Sequence, residues 1–500
     1  MRIYLESAMS LYQKKSFWIL GSLFVLGFIT LFMFRLDLIQ RYFFPPQSLP
    51  ISAIKSSGDK ETWMNIVQSN RKIGFSHSKF SAVPDGYRLQ ETVRMRINTM
   101  GMVQDINLKT IGRLNRDFSL ADFDFKIKSG RFSFNVTGSV SGDVLTVKTQ
   151  GAGAGRKAEI PLNAKPYLLP AITAAMSAAE LNAGDKYAFD IFDPATMGQT
   201  AVMVEVIGRE DLQVMGAIQS ATKVALNFKG TSQLAWIGDS GEVLKEKGIL
   251  GIQLEKTTRE DALHGLAVAA SVDLTQTASV ASNVLLEDLA HLSKLRVEIS
   301  GIPGQLVQLN GGRQAFNANI LTIEKETLTN LPADIQKRNL PNLEKVFLRP
   351  EPFIQSDDQK IQALAREIAG NQAAALEKVR MLVAWVHKNI DKRPVLSLPD
   401  ALSTLENRVG DCNEHAVLLA ALARAAGIPC RVEAGLVYLK GRFYYHAWNL
   451  VYVGRWITVD SVYDQVPADV SHIRLVTGSP SQQLDLIGVI GKLKLRVIEQ

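Results

Sequence analysis

Five hundred residues, 46% hydrophobic and 21% charged, exceed what one compact core holds, so two or three domains are expected and a globally disordered chain is excluded. The net charge of +7 comes from scattered Lys and Arg with no basic stripe, which argues against nucleic acid and for solubility or attraction to anionic surfaces. Two cysteines, Cys412 and Cys430, exclude a disulfide framework.

Phe17 to Phe34 reads FWILGSLFVLGFITLFMF, an uncharged run of bilayer-spanning length flanked by Lys14, Lys15 and Arg35. No small-residue cleavage site follows, so it is expected to remain as a transmembrane anchor (16–36) behind a cytoplasmic tail (1–15). The bulk of the chain is then placed outside the inner membrane, in the periplasm or an equivalent space. Residues 37–60, with Pro45, Pro46 and Pro50, read as a linker. From 61 to 300, short alternating segments such as YRLQETVRMRI and ADFDFKIK predict an antiparallel β-rich domain, with one helix at about Tyr167 to Leu181. Gly151-Ala-Gly-Ala-Gly-Arg-Lys157 lacks the Ser or Thr and the following helix of a phosphate loop, and reads as a turn. His77, His264 and His291 have no partners at metal-ligand spacing. A bridging segment (301–345) holds the strand-like run ANILTIE. Helical spacing then appears at Gln359 to Ala369 and Ala374 to Asn389, opening a C-terminal domain at 346–500.

The chemistry concentrates after Asn407. In NRVGDCNEHAVLLAALARAAGIPC, Asp411 reads as N-cap and Glu414 as its reciprocal partner, which puts Cys412 at the first helical position. The positive end of the helix dipole there is expected to lower the thiol pKa. If the helix runs to about Ala426, its rise leaves Cys430 roughly 20 Å from Cys412, too far for a disulfide, so both thiols are expected to be free. Three strand-like runs follow, Arg431 to Leu439, Arg442 to Tyr452 and Arg455 to Asp460. A three-residue loop at Tyr452 to Gly454 would put His446 opposite Asp460, and the turn at Lys440-Gly441 would put Gly435 opposite His446, leaving room beside the imidazole. His415, on the nucleophile's own helix, is less suited as a base, and Cys430 reads as structural.

Gly410-Asp411-Cys412, Gly427-Ile428-Pro429, His446-Ala447-Trp448 and Trp456 through Asp460 resemble the transglutaminase-like superfamily of papain-like thiol enzymes, over about residues 350 to 480. Arg474 and SHIRLVTG resemble its exported bacterial, membrane-anchored members. The resemblance implies a catalytic triad of Cys412, His446 and Asp460, on helices packed against an antiparallel sheet. Many relatives carry Glu where this chain has Leu450. The fold class is therefore expected to be α+β, with a transmembrane helix, a β-rich domain and a papain/transglutaminase-like domain. The function expected is an acyl-enzyme cysteine peptidase or amidase acting on peptide or protein, without metal or organic cofactor, hydrolysis being favoured because water needs no second binding site. The alternatives are a protein-crosslinking transamidase, or a non-catalytic module whose β-rich region binds the ligand. Oligomeric state is not legible.

Overall fold

The computed structural model describes residues 59–500, except 131, 151–155, 266–272, 303–306, 332–341, 371–373, 396–398, 479–485 and 487. The anchor expected at Phe17 to Phe34 and most of the glycine loop at 151–157 lie outside the described residues.

Alternating patterning from Lys60 onward builds one fifteen-stranded sheet. Successive strands pair antiparallel from Lys60–Gln68 to Arg156–Pro161 and again from Lys186–Asp193 to Ile252–Thr257, and the first strand closes against the last. The first hairpin turns at Ser69 and Asn70, both at positive φ (48° and 61°). The two edges of the sheet are Arg156–Pro161 and Pro166–Tyr167. Laid flat, fifteen strands would hold those edges ~67 Å apart, while the four linking residues reach about 17 Å. The sheet therefore curls back on itself into a barrel-like wall.

Helix Leu169–Ala178, with Pro170 in its first turn, fills part of the interior. Ala171 and Ala175 pack among Phe80, Leu89 and Phe123 of the first half of the wall. Ile172 and Met176 pack among Tyr187, Val204 and Leu226 of the second half. Burying Ile172 and Met176 stabilises the fold by roughly 1.5–3 kcal/mol each, and the alanines add less, so the helix ties the two halves together.

The C-terminal half is organised differently. Helices Gln359–Ala369, Ala375–Asn389 and Cys412–Ala425 share one apolar core with a sheet ordered Val280–Ala281, Arg442–Tyr452, Cys430–Leu439, Ile473–Thr477, on which Trp456–Val459 also pairs with Arg442–Tyr452. A second, four-stranded sheet combines Gln314–Asn317, Ile320–Glu324 and Lys294–Ser300 with Lys494–Glu499. Thus Val280–Ala281 and Lys294–Ser300 pair with C-terminal strands rather than with the curled sheet. Phe353 is buried in the curled sheet's core, and Gln104 Nε2 donates to the Pro394 carbonyl, so the two halves touch.

The α+β class is corrected: the structure is mostly β, with 51% strand and 19% helix. Long strands, up to the 17 residues of Gly198–Val214, outweigh the helical layer of the C-terminal half. Nor is any helix among the described residues long and apolar enough to cross a membrane. The longest, Ala375–Asn389, has 15 residues and carries Glu377, Lys378 and Arg380, whereas a spanning helix needs about 20 apolar ones.

Candidate active site

The helix Cys412–Ala425 begins as its sequence dictates. Asp411 accepts from the Asn413 amide at 2.9 Å, and the Glu414 carboxylate accepts from the Asp411 amide at 3.0 Å, completing a capping box. A Cβ at Gly410 would lie 2.3 Å from that of Glu414, so only glycine lets the box close. Cys412 takes the first helical position and keeps part of its surface open while protein surrounds the rest.

The strand pairing supplies the partners. Leu439 faces Arg442 across the Lys440-Gly441 turn, and Gly435 faces His446, as expected. The reason for glycine is different from the expected one: a Cβ there would lie 1.9 Å from the Ile473 carbonyl oxygen, so Gly435 admits the backbone of the neighbouring strand, not the imidazole. The loop before Trp456–Val459 is Val453 to Arg455, so Tyr452 faces Trp456 and the register is two residues from that expected. A shift of two preserves the face of every side chain. Asp460, just past the strand end, consequently reaches His446 diagonally, with Nε2 2.7 Å from Oδ2.

Asp460 is fully buried and saturated with donors. Besides His446, its Oδ2 accepts from His472 Nε2 at 2.9 Å, and Oδ1 accepts from the amides of Val462 at 2.6 Å and Tyr463 at 3.3 Å. His472 Nδ1 lies 3.2 Å from the Asp469 carboxylate, itself held by Ser471 and Gln465. Burial alone would raise the Asp460 pKa; the imidazoles of His446 and His472 more than offset it and hold the carboxyl well below its usual range. Burial likewise opposes the charge on His472, but bonds to Asp460 and Asp469 raise its pKa. An imidazole with both nitrogens on carboxylates donates twice only as the cation. The cluster therefore alternates imidazole and carboxylate, His446, Asp460, His472, Asp469, with His472 the cation between two carboxylates.

The electrostatics of Cys412 overturn an expectation. Burial first, then the carboxylates of Asp411, Glu414 and Asp460, push the Cys412 thiol well above its usual range, while a hydrogen bond from the Ala447 amide pulls the other way. The helix-dipole contribution is modest, and the capping carboxylate that forms the helix start opposes it. Cys412 in the resting protein is accordingly a thiol. The Ala447 bond brings the residue beside His446 against the sulfur, and Nε2 of that imidazole is engaged by Asp460.

Other groups are structural. Cys430 is free and buried; burial raises its pKa to about 12 and Asn449 Nδ2 lies 3.5 Å from its sulfur. Leu450 is buried, and Asn449 donates to the Ala416 carbonyl at 2.9 Å, tying the His446 strand to the nucleophile helix. His415 Nδ1 bonds the Asp411 carbonyl at 2.7 Å and burial lowers its pKa, as befits a neutral core histidine. Trp448 is buried, stacks edge-on against His472 and donates to Glu433. Arg474, in the motif of the exported relatives, donates to three backbone carbonyls at Gln308, Asn310 and Gly311.

His472 and Asp469 were not legible as site residues; the only signal was the SHIRLVTG motif. The ligating atoms of His446, Asp460 and His472 lie within 4.8 Å of one another, a spacing that could hold a metal ion. The 2.7 and 2.9 Å separations to a shared carboxylate oxygen are those of charge-assisted hydrogen bonds.

A cysteine opening a helix, packed on an antiparallel sheet that presents His and Asp together, defines a fold of the thiol-enzyme type. Residues 362–461 match the model of the Transglutaminase-like superfamily, and the chain carries a domain of that superfamily. A chain from Cytophaga hutchinsonii described as a proposed cysteine protease is 20% identical, covering 40% of this chain and 83% of its own, at a TM-score of 0.29. The periplasmic domain of TgpA from Pseudomonas aeruginosa is 21% identical, covering 29% of this chain and 53% of its own, at a TM-score of 0.22. A β-barrel-like protein of unknown function from Brucella abortus is 10% identical, covering 40% of this chain and 98% of its own, at a TM-score of 0.31. No curated protein matches the chain.

Proposed function

We propose that the protein is a cysteine peptidase or amidase that cleaves amide bonds of a peptide or protein through an acyl-enzyme. The observation that carries this reading is the buried 2.7 Å bond between His446 and Asp460, on the sheet whose Ala447 amide touches Cys412. His446 Nδ1 takes the thiol proton as sulfur attacks the carbonyl carbon, and gives it to the amine as the C–N bond breaks; the same nitrogen then deprotonates water as it adds to the thioester, the C–S bond breaks to release the acid, and the proton returns to sulfur. Asp460 holds the imidazole tautomer and stabilises its cation. Because burial and the nearby carboxylates disfavour a resting thiolate, proton transfer accompanies attack.

The raised thiol favours a second reading, in which the domain keeps the fold as a binding module without turnover. The full chain and Cys412→Ala should be incubated with a mixed peptide library, following release of primary amines and, in parallel, incorporation of a fluorescent alkylamine. Cys412-dependent amine release with no incorporation is expected. Cys412-dependent incorporation would replace hydrolysis by transamidation. Equal behaviour of the two proteins, with unchanged circular dichroism, would leave the binding module.

A further inference from the structure

The curled sheet encloses a cavity of about 650 Å³, a size that accommodates a small organic ligand. Strand alternation decides its lining. Met64, Phe80, Val93, Leu108 and Phe125 point in from the first half of the wall, and Val202, Leu226 and Leu254 from the second. Helix Leu169–Ala178 and the Pro194–Ala195 segment cover the remainder.

Four acidic residues interrupt this apolar lining, and two of them, Glu91 and Glu246, act on each other. Cross-strand pairing sets Glu91 in a polar row, Thr110 opposite it on one side and Ser78 on the other, with Thr62 beyond Ser78. Glu246 projects from the other part of the wall, close enough for its charge to act on Glu91, and accepts a hydrogen bond from Gln233 at 3.1 Å. Neither carboxyl group has a basic partner among the described residues. Burial raises both to about 7, Glu91 further through Glu246 and Glu246 despite the Gln233 bond. The other charged groups lining the cavity are otherwise engaged or more distant from the pair. Lys60 is held by Ser177 and the Gly241 carbonyl beside Glu242, Glu242 bonds Lys256, Asp193 bonds Ala195 and Thr196, and Lys229 also has a partner. Elsewhere in the molecule a buried carboxylate such as Asp460 is met by its own cation; here, among the described residues, the cation is missing, and room for it is present.

We propose that this cavity binds an amphiphile with an apolar body and a primary ammonium head, the head seated between Glu91 and Glu246 and donating to the flanking hydroxyl row. The apolar lining sequesters the body, and the cation neutralises two carboxylates that the protein leaves without one. A carboxylate head would meet like charge. An uncharged head would leave the acidic pair unneutralised. The site is separate from the thiol cluster, and its test does not depend on catalysis.

The experiment is calorimetric titration of the full chain with decylammonium, decanol and decanoate, each below its micellar concentration. One saturable decylammonium site is expected, with decanol and decanoate at least tenfold weaker. The double variant Glu91→Gln, Glu246→Gln should weaken decylammonium at least tenfold and narrow its advantage over decanol. Between pH 6 and 8 decylammonium binding should tighten and release protons, because the bound cation favours the ionised carboxyl groups. Ala174→Trp, filling the cavity, should abolish binding of all three, provided its circular dichroism is unchanged; should it fail to fold, the glutamine variant and the ligand series decide. Decanol or decanoate binding as tightly as the amine, undiminished decylammonium binding by the glutamine variant, or no saturable binding to the full chain would overturn the proposal.

Discussion

Asp460, fully buried, and Glu91, half-buried on a cavity wall, are carboxyl groups whose environments move them in opposite directions. Asp460 is surrounded by two imidazoles and two backbone amides and is held ionised. Glu91 faces a cavity and a second carboxyl group, and burial raises it to about 7. Burial by itself therefore does not determine a group's charge; the partners that the fold brings to it do. In the thiol domain the partners come from the protein. Around Glu91 and Glu246 no cationic partner stands among the described residues, and that difference separates an ionised carboxylate from a pair raised to about 7.

Three variants break or sharpen the contrast. The largest effect is expected from Asp460→Asn, which keeps the shape and removes the charge that His446 and His472 share. Catalytic turnover should fall by roughly 10²–10⁴, as for orienting carboxylates elsewhere, with little change in KM; steady-state kinetics on a peptide selected by the library assay checks it, and unchanged turnover would remove Asp460 from the site.

His472→Gln comes next. It retains a donor toward Asp460 but removes the cation between two carboxylates. A kcat loss of about tenfold to a hundredfold is expected, on the scale reported for partners that orient a functional ligand, with KM little changed. The stability readout follows the sign of the shift. Because the folded His472 pKa is raised, its stabilisation is fully present below the unfolded pKa of about 6.5 and is lost as pH rises through the folded value. The parent's Tm should lose that contribution on going from mildly acid to alkaline pH, and the variant should lack this component; identical pH profiles in both would show that His472 is not a buried cation.

The smallest effect is expected in the curled sheet. Glu91 and Glu246 have raised folded pKa values, so each destabilises progressively as pH climbs from about 4.5 to about 7, the opposite pH dependence from Asp460, whose stabilisation is lost as acid protonates it. The double glutamine variant, without ligand, should be indistinguishable from the parent near pH 5 and a few degrees higher in Tm at pH 8, about 2–4 °C per kcal/mol recovered. Thermal unfolding followed in the β band of circular dichroism measures it. A variant less stable than the parent at pH 8 would mean that both carboxylates already have cationic partners.

Much of the active site could be read locally because its positions obey short-range rules. The capping box needs only Asp411 and Glu414 three residues apart, and the helix, the strand parity and the Gly435–His446 pairing follow from adjacent segments. Even a two-residue error in the loop before Trp456 left Asp460 on the correct face. The helix within the β-rich region was likewise legible, expected at Tyr167 to Leu181 and found at Leu169–Ala178. His472 was not legible as a partner of Asp460, because its bond depends on the path between Asp460 and Ile473–Thr477 and on the anchoring of Asp469.

By itself the sequence determined the capped helix with its cysteine, the order of the three site residues and the alternation that makes the first half β, since each depends on neighbours within a turn or a hairpin. The tertiary structure decided that fifteen strands curl around one helix, that strands 280–281 and 294–300 join C-terminal sheets, and that β structure dominates the described chain. It also decided the charges: Cys412 is raised rather than lowered, Asp460 is ionised, and Glu91 and Glu246 are shifted to about 7. Periodicity constrains where a side chain points, but the protonation state of a buried group depends on every dipole and charge within several ångströms, and most of those arrive from distant parts of the chain.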